Sequence, residues 1–124
     1  MIPWGTPIEP GATEPYEGDP TTRPTSAQAC LQVGIGHDGM WFFPIDQKLL
    51  SRYGVNGYQA SSIVGMLCIN HEFGDNTHVL GKSDPESLEE VRLAQNVLGV
   101  SVLKLRKDRN GEWRVVRSKN TRRI

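Results

Sequence analysis

Residues 64–73 constrain the fold more than any other stretch. Val64, Met66, Leu67 and Ile69 make an apolar run with one thiol, Cys68, inside it. The run then ends in amide, imidazole and carboxylate at Asn70, His71 and Glu72, just before the turn residues Gly74, Asp75 and Asn76. This is the pattern of a buried strand that delivers coordinating groups at its end. Strand side chains alternate in direction, so Cys68, Asn70 and Glu72 are expected on one face, with Ile69 and His71 on the other. A thiolate, an amide oxygen and a carboxylate together suit a polar, metal-holding pocket. The same residues also suit a core cysteine followed by a surface turn, since free cysteine commonly packs as a small hydrophobe. On a straight strand the Cα atoms of Cys68 and Glu72 lie roughly 13 Å apart at ~3.3 Å per residue, too far to share one ion. Either the chain bends at Asn70 and His71, or the two serve different ions of a cluster spaced ~4 Å apart.

Length and charge narrow the classes. At 124 residues the chain is one small domain or part of a larger one. Fourteen basic and fourteen acidic residues balance, and the pI near 6.8 excludes a general polyanion binder. The balance hides an asymmetry: residues 1–36 carry Glu9, Glu14, Glu17 and Asp19 against Arg23, whereas nine basic residues from Lys104 onward face only Asp108 and Glu112. The basic residues Arg106, Lys107, Arg109, Arg114 and Arg117 fall on an expected exposed hairpin, where a solvated face explains them without nucleic acid. Two cysteines, Cys30 and Cys68, are too few for a disulfide framework. Neither a secretory signal nor a membrane span is visible, which places the chain as written in the cytoplasm.

Residues 1–28 read as an extended arm. Pro3, Pro7, Pro10, Pro15, Pro20 and Pro24 exclude a helix or a central strand there. Trp4, Ile8 and Tyr16 are expected to pack that arm onto a body formed by residues 29–124. In the body, strands are expected over 29–35, 40–45, 64–69, 100–106 and 112–117. A polar corner at residues 34–39 carries His37 and Asp38, and a connection over 46–61 has room for a helical turn near 48–50. One helix is predicted from Asp84 as cap and Pro85 as first residue, with an apolar stripe of Leu88, Val91, Ala94 and Leu98 and Gly99 as its stop. Asp108, Arg109, Asn110 and Gly111 mark a hairpin loop. No closing element is expected after residue 121. The result is a mainly β chain with one helix and with open strand edges that invite self-association. A single zinc site from His37, His71, His78 and Cys68 is an alternative, although no second closely spaced ligand pair supports it.

Several ordered motifs resemble the PhoX-type bacterial alkaline phosphatases. They are Pro3-Trp4-Gly5-Thr6-Pro7-Ile8; Gly36-His37-Asp38-Gly39-Met40 leading to Phe42-Phe43-Pro44; Leu67-Cys68-Ile69-Asn70-His71-Glu72-Phe73; Glu86-Ser87-Leu88-Glu89-Glu90-Val91-Arg92 with Gly99-Val100-Ser101-Val102; and Trp113-Arg114-Val115-Val116. The resemblance covers nearly the whole chain. It implies a large β-propeller that hydrolyses phosphate monoesters with bound calcium and ferric iron, exported by the twin-arginine route to the periplasm or beyond. It implies that Cys68 is an iron ligand, that Glu72 is a metal ligand, and that His37, Asp38, Asn70 and His71 lie near the site. Phe73 stands where many relatives have tyrosine.

On that resemblance the chain is expected to be a truncated piece of the phosphatase, about one propeller blade plus the arm, and inactive alone. A non-enzymatic β-rich binding module is the competing class. The chemistry favours the first. Phosphate monoester hydrolysis is extremely slow in water, and its dianionic substrate needs positive charge before an oxygen can approach. Carboxylates suit calcium and a thiolate suits a softer metal, so Cys68 with Glu72 fits a mixed cluster better than a calcium-only site.

Overall fold

A computed structural model describes residues 2–13, 23–45 and 64–124. In chain order the elements are α1 (Ser26–Ala29), β1 (His37–Pro44), β2 (Val64–His71), α2 (Asn76–Leu80), α3 (Leu88–Asn96), β3 (Gly99–Lys107), β4 (Trp113–Val115) and β5 (Arg122–Arg123). The five strands make one antiparallel sheet in the order β1-β2-β3-β4, with β5 also paired to β3.

The register divides the sheet into two faces. On the inner face Ile69, Leu103 and Leu105 form a buried core with Ile8 of the arm and Val33. Phe42, Leu67 and Val115 pack against it. On the outer face Trp41 lies opposite Cys68, which lies opposite Val102, and Phe43 lies opposite Met66. Trp41 and Phe43 are exposed there. A second core joins the three helices through Ala29, Val79, Leu80, Leu93 and Val97, with Trp4 partly buried against it.

The arm therefore packs as expected through Ile8 and Trp4, and it does so by backbone as well. The Gly5 amide donates to the Val33 carbonyl at 3.0 Å, and the Val33 amide donates to the Thr6 carbonyl at 2.9 Å. Tyr16 and the turn anticipated near 48–50 lie outside the described residues.

Four expectations are corrected. Residues 29–35 are not a strand. The Thr25 hydroxyl caps α1 by accepting from the Gln28 amide, and the chain then turns, with one isolated bridge from Gln32 to Pro7. The single helix becomes three. The long one starts at Ser87, not Asp84, because the Ser87 hydroxyl accepts from the Glu90 amide while the Glu90 carboxylate accepts from the Glu86 amide at 2.6 Å. That is a near relative of the capping box, and it leaves Pro85 outside the helix. Its buried face is Leu93 and Val97, whereas Leu88 is 64% exposed. Finally, the chain does close after residue 121: Arg122 and Arg123 pair with Val102 and Ser101 of β3.

Candidate functional site

The polar end of β2 meets the start of β1. His37 pairs with His71, and the register then shifts before Met40 pairs with Ile69. The irregularity falls on Asp38 and Gly39. Bulges of this kind re-aim side chains and are common beside active sites. Beyond the last pair, the Glu72 amide donates to the Gly36 carbonyl at 3.1 Å. Gly36 has φ +64, and a Cβ there would fall 1.8 Å from the Phe73 carbonyl oxygen. Only glycine permits this approach of the two segments.

Asp38 and Glu72 consequently face each other. A hydrogen bond that the Glu72 carboxyl donates to the Asp38 carboxylate, and then the repulsion of its charge, push the Glu72 carboxyl above the usual carboxylate range. Two acids that crowd one another are a ready pair for a hard cation, because a cation removes their mutual repulsion.

The alternation along β2 holds. Ile69 and His71 are buried, while the less buried Cys68 and Asn70 line a shallow hollow with Gly39, Met40, Trp41, Phe43, Ile69 and Val100. Its volume is about 360 Å³ and its lining is mainly apolar. Cys68 is a free, half-buried thiol. Glu72 is not among the residues lining this hollow; it lies past the strand end with Asp38. Among the described residues, no three His, Cys, Asp or Glu side chains converge on one point, so a zinc site built from His37, His71, His78 and Cys68 has no support.

His71 serves the interior. Its Nε2 lies 2.7 Å from the Ser101 Oγ, and its ring lies 5.0 Å from that of His37 between centroids. Burial, then the charges of Arg123 and His37, lower its pKa to about 4. It is neutral at physiological pH. Arg123 donates from Nη1 to the Ser101 Oγ at 3.1 Å and from Nη2 to the carbonyls of Asn96 and Leu98 at 2.9 and 2.6 Å. Neither Ser101 nor Arg123 stands out in the sequence as a site residue. Ser101 breaks an apolar alternation, which is the one visible signal of a polar contact inside.

The comparisons decide the parentage. The sequence model of the family described as alkaline phosphatase PhoX matches residues 1–124. The chain belongs to the PhoX family. A solved structure of Pseudomonas fluorescens PhoX in complex with vanadate, a transition state analogue, is similar to the whole chain with a TM-score of 0.76 and 28% identity. All of this chain is covered, but only 19% of that PhoX chain. No curated protein matches. The PhoX resemblance of the motifs at residues 36–44 and 67–73 thus extends to three-dimensional structure. Among the described residues no helix is long and apolar enough to cross a membrane.

Proposed function

We propose that residues 1–124 form one segment of a metal-dependent hydrolase of phosphate monoesters, and that Asp38, Glu72 and Cys68 are its contribution to the metal site. The observation that carries this reading is the Asp38–Glu72 pair, two carboxylates held face to face by a bulge and a glycine. The pair suits calcium, and the half-buried Cys68 thiol suits ferric iron. When bound, such ions neutralise phosphate oxygens and activate a water oxygen. The vanadate bound in the Pseudomonas fluorescens protein is consistent with a phosphate substrate here.

The chain's own residues supply position. The Gly36 carbonyl fixes the Glu72 backbone, the bulge aims Asp38, and Asn70 presents an amide on the Cys68 face. In this reading the sheet is one blade of a propeller, with residues 1–28 as an arm laid on it. Among the described residues nothing pairs with the free edge of β1 and Trp41 and Phe43 of the outer face are exposed, which leaves both to neighbouring blades in a closed ring and to self-association without them. Calcium takes six to eight oxygens, and this segment offers few, so the segment by itself binds metal weakly and does not turn over substrate.

A calcium titration of the chain, followed by the carboxyl ¹³C signals, tests the assignment. Asp38 and Glu72 are expected to move together, with weak affinity, and Glu72→Gln is expected to abolish the movement of Asp38. Equal movement of every exposed carboxylate, with no preference for this pair, sinks the reading.

A further inference from the structure

Metal holding by Asp38, Glu72 and Cys68 uses neither Arg123 nor Ser101, yet both lie inside the fold and converge on the residue before Glu72. We infer that Arg123 is a positioning residue for the Asp38–Glu72 pair, acting through the Ser101 hydroxyl and the His71 ring. The inference rests on the proposed role of that pair and concerns how its geometry is set.

Three observations carry it. First, Arg123 is placed where an ion pair does not explain it. Its guanidinium is half-buried, and among the described residues its partners are two carbonyls at the end of α3 and one hydroxyl, with no carboxylate. Helix C-terminal carbonyls favour a cation, which anchors Arg123 firmly to α3. Second, the hydrogen bonds have a direction. Arg123 can only donate, so the Ser101 oxygen accepts from it. The Ser101 hydroxyl hydrogen is then free to point at His71 Nε2, 2.7 Å away. With Nε2 accepting, the neutral ring carries its proton on Nδ1, whose one polar neighbour among the described residues is the Ile35 backbone. One tautomer and one ring orientation are selected from β3 and β5.

Third, the His71 ring, on the strand that ends in Glu72, is packed against the segment that carries Asp38. It touches the His37 ring, and His37 Nε2 lies 3.1 Å from the Gly34 carbonyl oxygen. Gly34 closes the remaining space: a Cβ there would fall 2.7 Å from His71 Cγ and 2.8 Å from Arg123 Nη1. His37 directly precedes Asp38, and Glu72 directly follows His71. A ring shift at His71 therefore acts on both carboxylates at once, and the opposite faces of β2 make this coupling mechanical and keep the guanidinium away from the acids themselves.

The test is spectroscopic and needs no metal. Ring ¹⁵N shifts of His71 and the carboxyl ¹³C shift of Glu72 are recorded at one neutral pH in the wild-type chain, Arg123→Gln and Ser101→Ala, with Arg122→Gln as the exposed neighbour. The wild type and Arg122→Gln are expected to show one His71 nitrogen protonated and one not. Arg123→Gln and Ser101→Ala are each expected to average the two nitrogens and to move the Glu72 signal, and the double variant to do no more than either. If Arg123→Gln does not fold, Ser101→Ala, which removes only a hydroxyl, gives the answer. A folded variant with His71 averaged and Glu72 unmoved overturns the inference, as does an unchanged His71. Calcium added to the same samples separates the two readings. A wild-type Glu72 signal blind to calcium refutes metal holding, while a metal-free Glu72 response to Arg123→Gln still upholds positioning.

Discussion

The Glu72 amide donates to the Gly36 carbonyl at 3.1 Å, which ties the two acid-bearing segments together by backbone alone. That contact exists because Gly36 holds φ +64 with the Phe73 carbonyl against it. Gly36→Ala adds both a left-handed alanine and a backbone clash. It is expected to destabilise the chain by about 3 kcal/mol, read as a lower urea midpoint, and to return Glu72 toward an ordinary carboxylate titration.

Stability is expected to fall as pH drops from about 6.5 to about 4. The sign follows from His71: its folded pKa, about 4, lies below the ordinary imidazole value of 6.5, so the unfolded chain binds the proton in that window. The contribution is fully present above pH 6.5 and lost by about pH 4, with a ceiling of about 3.5 kcal/mol at ~1.4 kcal/mol per unit. Asp75, Glu89, Glu90 and Asp108, whose carboxyls are lowered chiefly by hydrogen bonds, add a separate loss below their usual range. Chemical denaturation at a series of pH values checks this. His71→Asn should flatten the upper window and leave the lower one; a slope that survives His71→Asn would assign it elsewhere.

The facing of the β2 side chains was legible because β structure makes direction a matter of parity. Cys68 and Asn70 share a face opposite Ile69 and His71, as two-residue alternation requires. The closeness of Asp38 to Glu72 was implied by the family resemblance and not by the strand pattern, because it depends on a one-residue irregularity that periodicity does not reveal. The buried partners of His71 were hidden for another reason. Ser101 and Arg123 reach it across the strand register, and Arg123 reads in sequence as one more member of a basic, solvated tail. At the helix the competing signal was local: Asp84-Pro85 is a good start, but Ser87 with Glu90 is a better one, since it satisfies two amides at once.

The inner core should answer to cavity chemistry. Leu103 is fully buried and joins Ile8, Val33 and Ile69. Leu103→Ala is expected to cost about 3 kcal/mol in equilibrium unfolding, against under ~0.5 kcal/mol for an exposed change such as Arg122→Gln.

The outer face should control association. Trp41 is 70% exposed beside exposed Met40 and Phe43. Sedimentation of the isolated chain is expected to show oligomers that the double change Trp41→Lys, Phe43→Lys reduces toward monomer. A wild type that stays monomeric at high concentration would contradict an uncovered blade face and favour a self-sufficient binding module.

The most direct measurement places the segment in a whole enzyme. Residues 1–124 replace the matching segment of the Pseudomonas fluorescens PhoX, and hydrolysis of a chromogenic phosphate monoester is followed at alkaline pH with and without chelator. The account predicts chelator-sensitive turnover in the chimera, a loss of roughly 100-fold or more with Glu72→Gln, and joint loss of iron and turnover with Cys68→Ala. A folded, active chimera that keeps its rate and its iron through both substitutions would contradict it.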